Sequence, residues 1–419
     1  MNSQQAAILR EVDVEFDAAV AFLAELVKVP TDNPPGDCAA HGARAAELLR
    51  GLGHVVEMHA VAADDLAAVG MISATNLIVR QAFGDGGPCI ALNAHGDVVP
   101  PGLGWTVDPY GAVVRDDPEH GPVMLGRGVA VSKSDFATYT FALRALQRLV
   151  ASGELKLRGS IELQFTYDEE VGGDIGPAWL LRHGLSKPDL ALSAGFAYAV
   201  TTAHNGCLHL EVTVRGRQGH AAMPKAAVDA LEAATGILTA LYASRAELAT
   251  VHSATQGIDT PTLNVGLISG GINTNVVPDK IAFRIDRRMI PEESAEVAES
   301  ALRGLIADAA AAYPGITVDI RRLMLALPLV KLPGAERMTL SLQQHGEAFL
   351  GTPIAEHGVP LYTDARHYTA AGIPTVLYGA GPRTLAEANG HGADECLRLR
   401  DLRGATATVA AMLAELLTG

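Results

Sequence analysis

The sequence predicts an α/β protein with a central, mostly parallel sheet flanked by helices, into which a ferredoxin-like α+β lid is inserted. Three observations predict it. Short apolar runs with β character alternate with longer helical stretches from residue 38 to about residue 200. Between residues 207 and 320 the order becomes β-α-β-β-α-β. After residue 320 the first pattern resumes, which divides the chain into a first part of a larger α/β domain (1–206), a smaller inserted domain (207–320) and a second part of the larger domain (321–419). A chain of 419 residues is also too long for one ordinary core.

Residues 12–29 place apolar side chains at helical spacing, and "CAAHGARAAELLRGLG" (38–53) reads as a second helix ended by glycine. Strands are expected at "ATNLIVRQ", "CIALNAHGDVV" and "SIELQFTYDEE", with "DFATYTFALRALQRLVASG" as a helix among them. In the lid, "LHLEVTVRGRQGH", "TPTLNVGLISGG", "KIAFRIDRRMI" and "ITVDIRRL" read as strands. "AAVDALEAATGILTALYASRAEL" and "EESAEVAESALRGLIADAAAAY" read as its helices. "IPTVLYGAG" (373–381) is the strand that returns to the main sheet.

Composition narrows the function. With 48% hydrophobic and 19% charged residues the chain is globular. A net charge of −15 argues against nucleic acid or an anionic membrane as partner. Cys38, Cys89, Cys207 and Cys396 have no metal-ligand or redox spacing, which points to buried thiols in a reducing compartment. No basic segment precedes an apolar run at the N-terminus, and Leu190–Val200 is too short to span a bilayer, so a cytoplasmic chain is expected.

Candidate chemistry gathers at strand ends, where open α/β sheets bind ligands. His95-Gly96-Asp97 offers an imidazole and a carboxylate able to fix its tautomer. In Asp168-Glu169-Glu170 the adjacent acids point opposite ways, so one can hold a metal while the other faces substrate as general base. His391 lies in a glycine-rich loop after a strand, well placed to close a metal shell.

The segments "HGDVVP" (95–100), "GWTVDPYGA" (104–112), "GRG…K" (126–133), "TYDEEVGG" (166–173), "GRQGHAAMP" (216–224), "NTNVVPDKIAFRIDRRMIP" (273–291), "TDARHY" (363–368) and "HGADE" (391–395) run through nearly the whole chain. In that order and spacing the chain resembles the zinc metallopeptidase and deacylase family of acetylornithine deacetylase, succinyl-diaminopimelate desuccinylase and glutamate carboxypeptidase. The resemblance implies that His95, Glu170 and His391 are metal ligands, that Asp97 orients His95, and that Glu169 is the general base. It further implies that 1–206 and 321–419 form the catalytic domain and 207–320 a lid and dimerisation domain, that His220 reaches the partner subunit's site as an oxyanion donor in a homodimer, and that Arg288 and Asn275 hold a substrate carboxylate. Without the resemblance, Arg288 reads as a surface ion pair with Glu292 or Glu293, and His220 as a capping or exposed histidine.

The chain also departs from the family. The position of the metal-bridging aspartate falls on Val131, and a second acidic ligand falls on Ala194 or Gly195. Three ligands and a water suffice for one catalytic metal, so one divalent ion per chain, zinc or manganese, is expected. Asp135, about one helical turn beyond Val131, is either a fourth ligand or a helix N-terminal acid. The resulting expectation is a metal-dependent hydrolase that cleaves a C–N bond of a small carboxylate-bearing substrate. One alternative is a hydrolytic deaminase of an aromatic amine such as 5-nitroanthranilate, because the family includes such aminohydrolases. Another is a non-catalytic small-molecule binding protein, which would have no need of Glu169.

Overall fold

Strand Cys89–His95 is buried on both faces along nearly its whole length, as a strand in the middle of a parallel sheet must be. The structure, a computed structural model, describes residues 1–130 and 132–418. They form two compact units. The first comprises residues 1–202, 331–357 and the chain from Thr363 onward, and the second residues 203–330 and 358–362.

The first unit is built on an eight-stranded sheet. Its order is Val56–Ala60, Thr75–Gly84, Gly159–Thr166, Cys89–His95, Leu190–Ser193, Thr375–Leu377, Ala199–His204 and Ala355–Val359. The four strands from Gly159–Thr166 to Thr375–Leu377 are parallel, and the antiparallel pairings lie outside them. Side-chain alternation sorts the layers: Ile90 and Leu92 join the main core, whereas Ala91 packs with Ala191 and Tyr368 on the other face. Helices Lys133–Ala151 and Leu399–Thr418 fill the main-core side. Leu399–Thr418 is buried almost all round, as a helix enclosed by other elements must be. Short helices Pro177–Arg182 and Ala365–Ala370 cover the other face.

The expected single helix over 12–29 is two, Ser3–Val14 and Phe16–Val27, broken at Glu15. Glu15 has a non-helical backbone and pairs with Arg144, a long-range interaction that helical periodicity does not register. The N-terminal start comes from a capping box in which Asn2 and Gln5 satisfy each other's backbone N–H.

An aromatic platform underlies the strand ends. Phe136, from the first turn of Lys133–Ala151, stacks on Phe165 at 4.0 Å and meets Tyr167 and His41 edge-on at 6.2 and 5.8 Å. The Tyr167 hydroxyl and His41 Nδ1 are 3.0 Å apart. Gly96 rests directly on this platform: a Cβ there would lie 2.5 Å from the Tyr167 ring, so only glycine lets the chain pass between His95 and Asp97.

In the second unit, strands Thr262–Gly270, Lys280–Met289, Gly206–Arg215 and Thr317–Ala326 form a wholly antiparallel sheet in that order. Helices Ala230–Leu248 and Ala295–Ala310 pack on the face made by Leu208, Leu210, Phe283 and Ile285. Both helices are capped by side chains, Asp229 and Ser294. Among the described residues of the chain, no helix is long and apolar enough to cross a membrane.

Phe136→Ala should destabilise the first unit by about 3–5 kcal/mol, the usual cost of emptying a fully enclosed aromatic site. A urea-unfolding midpoint that does not move would contradict the platform's role.

Candidate active site

The site begins where two neighbouring parallel strands end together. His95 is in register with Thr166, and the Gly96 N–H donates to the Thr166 carbonyl at 2.8 Å. The chain beyond Thr166 then turns through Asp168 into a 3₁₀ turn at Glu169–Val171. Asp97 ties the two ends. Its fully buried carboxylate accepts the N–H groups of Glu169 at 3.3 Å and Glu170 at 3.1 Å, and the Asn33 amide at 3.0 Å. His95 Nδ1 lies 3.1 Å from the Asp97 backbone carbonyl and 3.4 Å from its carboxylate. Both are acceptors, so Nδ1 carries a proton and Nε2 is the nitrogen left to face a metal. The backbone carbonyl is thus the nearer partner of the ring, and the carboxylate mainly fixes the turn that carries Glu169 and Glu170.

His95 Nε2 is 3.9 Å from a Glu169 oxygen, and His391 Nε2 is 3.6 Å from a Glu170 oxygen. The four side chains therefore approach as two pairs rather than as one shell. Among the described residues, His95, Glu170 and His391 do not bring their ligand atoms within 4.8 Å of one another as a group.

His391 is presented by a constrained loop. Its φ is 63°, and Asn389 and Asp394 are also left-handed, at 51° and 53°. Non-glycine residues adopt this conformation only where their surroundings enforce it. Strand Cys396–Arg398 pairs with Gly121–Leu125, which sets "HGADE" beside "GRG". There Glu395 is buried with Arg127 at 2.6 Å and also accepts the N–H groups of Gly128 at 3.1 Å and Ala130 at 2.9 Å. Arg127 goes on to the carbonyls of Gly392 and Pro101, at 3.0 and 3.1 Å. These two motifs hold the loop; they need not touch a reactant.

Asp364, within the "TDARHY" motif but assigned no role from sequence, is a further buried acid, 3.5 Å from the Thr166 hydroxyl. Asp97, Asp168, Glu169, Glu170 and Asp364 thus crowd one wall. Burial, with repulsion from Asp97, raises the Glu170 carboxyl to about 7 against the pull of His95. Burial likewise raises Asp364 to about 7, with His95 opposing and Asp97 reinforcing it. Glu169 is pushed well up by burial and by Glu170, Asp364 and Asp97, although His95 opposes this. Burial disfavours a charged His95, but Glu169, Asp97 and Glu170 together outweigh it and raise the imidazole. Such a concentration of buried acids beside two imidazoles suits a divalent cation, which would relieve the repulsion among the acids and take the place of the second His95 ring proton.

Asp135 is fully buried, and its oxygens accept the N–H groups of Ala380 at 2.7 Å and Gly195 at 3.3 Å. It therefore clamps two loops by their backbones, and burial raises its carboxyl to about 7. Gly195 has no room for a side chain, since a Cβ would lie 2.7 Å from the Tyr378 nitrogen. Val131 lies outside the described residues.

In the second unit, His220 and Asn275 are brought together by a short ladder. His220 pairs with Val276, and the Ala221 N–H donates to the Asn275 carbonyl at 3.0 Å. Both side chains are exposed. Arg288 does not pair with Glu292 or Glu293. Its Nε and Nη2 bind Asp286 at 2.9 and 3.1 Å, while Glu293 pairs with Arg287 and Glu292 with Ser253. Alternation explains this: Arg287 points to the helix-covered face and Arg288 to the opposite one. Cysteine spacing gave no indication of a second cluster, yet Cys207, His209 and Asp286 bring their ligand atoms within 4.8 Å of one another.

Comparison with known proteins agrees with the fold. Residues 202–314 match the peptidase dimerisation domain. Succinyl-diaminopimelate desuccinylase of Gluconacetobacter diazotrophicus is 28% identical over 411 residues, covering 95% of this chain and 97% of that protein. Acetylornithine deacetylase of Vibrio vulnificus is 30% identical over 311 residues, covering 73% and 76% respectively. Among solved structures, an M20 family metallo-carboxypeptidase from Sulfolobus solfataricus superposes with a TM-score of 0.75 at 14% identity, over 95% of this chain and 99% of that one. The chain belongs to the M20 peptidase family, a family of divalent-metal-dependent hydrolases acting on amide bonds.

Proposed function

We propose that this chain is a single-metal hydrolase that cleaves a C–N bond of a small carboxylate-bearing molecule and works as a homodimer. The observation that carries the reading is the arrangement at the strand ends. His95 is locked through Nδ1 with Nε2 turned toward Glu169, and the Glu170–His391 pair belongs to the same wall. The names of the two relatives, a desuccinylase and a deacetylase of amino-acid substrates, support an N-acyl amino acid as the substrate class.

Glu170, His391 and His95 would hold the ion, with Glu170 and His391 as its nucleus and His95 as the third donor. Nitrogen and oxygen donors of this kind suit zinc or manganese. When bound, a divalent ion supplies Lewis acidity that makes water a competent nucleophile near neutral pH. Neither Val131 nor the Ala194-Gly195 step offers a carboxylate for a second ion. Asp135 already spends its oxygens on two backbone N–H groups, so three protein ligands are proposed rather than four.

Glu169 takes the proton of the attacking water and returns it to the departing nitrogen. Asp97 holds the Glu169 backbone in place while it does so. Arg288 has five N–H donors, of which Asp286 takes two, so donors are left for a substrate carboxylate with Asn275 assisting. His220 stabilises the oxyanion in the partner subunit. The deaminase reading has no separate observation in its favour.

Glu169→Gln should keep its metal and lose about 10²–10⁴ in turnover, since an amide cannot accept the proton. Glu170→Gln should instead lose one equivalent of metal per chain by elemental analysis. Loss of two equivalents, or metal loss in Glu169→Gln alone, would overturn the assignment.

Metal affinity should depend on pH. Glu170, raised to about 7, is protonated below that value in the free protein, and a metal must displace the proton. Affinity therefore declines as pH falls through about 7, by about tenfold per unit for each proton displaced, and the proton that His95 must also give up extends the rise above that value. Calorimetry in buffers of different ionisation enthalpy checks this, and binding without proton release near pH 6 would contradict it.

Shared sites predict complementation. His220→Ala and Glu169→Gln chains, each inactive alone, should regain activity when mixed, because one site of the heterodimer then carries neither defect. Mixed dimers seen by mass spectrometry that remain inactive would exclude a role for His220 in the partner's site.

A further inference from the structure

The chemistry proposed above leaves unused three side chains on the face of the second unit's sheet opposite its helices. Cys207 and His209 are two residues apart on strand Gly206–Arg215 and share a face. Asp286 is the direct cross-strand partner of His209, and Arg288 that of Cys207. The register thus gathers a thiol, an imidazole and a carboxylate at one point, with a guanidinium beside them.

Cys207 Sγ lies 3.3 Å from His209 Nε2 and 3.9 Å from Asp286 Oδ1, and His209 Nε2 lies 3.1 Å from Asp286 Oδ2. The same imidazole nitrogen faces both partners. A nucleophile relay needs the two ring nitrogens on different partners, so this arrangement is not one. Three donors converging on a common point are instead the layout of a cation site. Bonds of about 2.0–2.3 Å around a tetrahedral zinc separate ligand atoms by about 3.3–3.6 Å, and the three edges here bracket that range.

We propose that Cys207, His209 and Asp286 bind a borderline-soft divalent cation, zinc foremost, as a site with ligands distinct from those of the hydrolytic centre. A thiolate and a carboxylate balance the charge of the dication, and the thiol proton leaves to solvent on binding. Arg288 acts as the outer partner that fixes the carboxylate: its fork occupies one lone pair on each Asp286 oxygen and leaves another for the ion. The side chains of His209 and Asp286 are 35% and 30% exposed while Cys207 is buried, so the ion has a path from solvent and the thiolate is shielded. Three protein donors leave a fourth position for water or a small ligand.

Cobalt(II) titrated into the metal-stripped full-length chain tests this directly. None of the hydrolytic ligands is a thiol, so a thiolate-to-cobalt charge-transfer absorption reports the second site alone. The absorption should saturate by two equivalents of added cobalt, because the hydrolytic site of the stripped chain also takes up the ion; it should vanish in Cys207→Ser and persist in Glu170→Gln. His209→Gln should weaken cobalt binding at this absorption by about tenfold or more, because losing even an outer partner of a metal site costs about 10–100-fold. Absence of the absorption in the wild-type chain, its survival in Cys207→Ser, or its loss in Glu170→Gln would each overturn the proposal. If Cys207→Ser does not fold by circular dichroism, the His209→Gln titration decides alone. Failure here leaves the hydrolytic reading untouched, since that reading is tested through Glu169 and Glu170.

Discussion

One buried carboxylate organises the candidate active site. Asp97 accepts two successive backbone N–H groups of the Glu169–Glu170 turn and the amide of Asn33, and its own backbone carbonyl receives the His95 ring. Three segments far apart in sequence are thereby fixed to one another within a single hydrogen-bonded shell. A carboxylate that accepts several N–H groups in a buried place is strongly held, and its removal would leave those donors unpaired. The aromatic platform below and the Arg127–Glu395 brace at the His391 loop complete the rigidity that a site assembled from loops requires.

Much of this was legible in the sequence, and the reason is local chemistry. An apolar run that ends in His-Gly-Asp, and another that ends in Asp-Glu-Glu, announce strand ends with polar cargo. The two helices and four strands of the second unit were readable from alternation and periodicity in the same way. The parts that stayed hidden depend on contacts across long distances. The break at Glu15 reflects a pairing with Arg144. The Glu395–Arg127 pair spans residues 268 apart, and no spacing rule connects them. Cys207 and His209 meet Asp286 only because strand register sets residues 77 apart in His209 and Asp286 face to face.

The role of Asp135 shows why a one-turn offset is weak ground for assigning a ligand. Its place in the first turn of a helix suits either a metal ligand or a helix N-terminal acid, and nothing in the sequence points to a clamp on two loops. The structure shows which donors surround it: the N–H groups of Ala380 and Gly195, each from a different loop. A carboxyl already serving two backbone donors gains little from turning away, because both would then be buried without a partner.

Gly195 limits which residues this end of the sheet can accept. A methyl group there would press on the backbone of Tyr378 and Leu377, at 2.7 and 2.9 Å, before any acidic group could form. An aspartate or glutamate at this position would first require the neighbouring strand Thr375–Leu377 to shift, and that strand is paired on both sides. An acidic side chain at Gly195 therefore takes more than a single substitution. Backbone packing thus acts as a filter on mutation: the Leu377–Tyr378 peptide already occupies the space a larger residue would need, so chemistry at this end of the sheet is left to the residues around it.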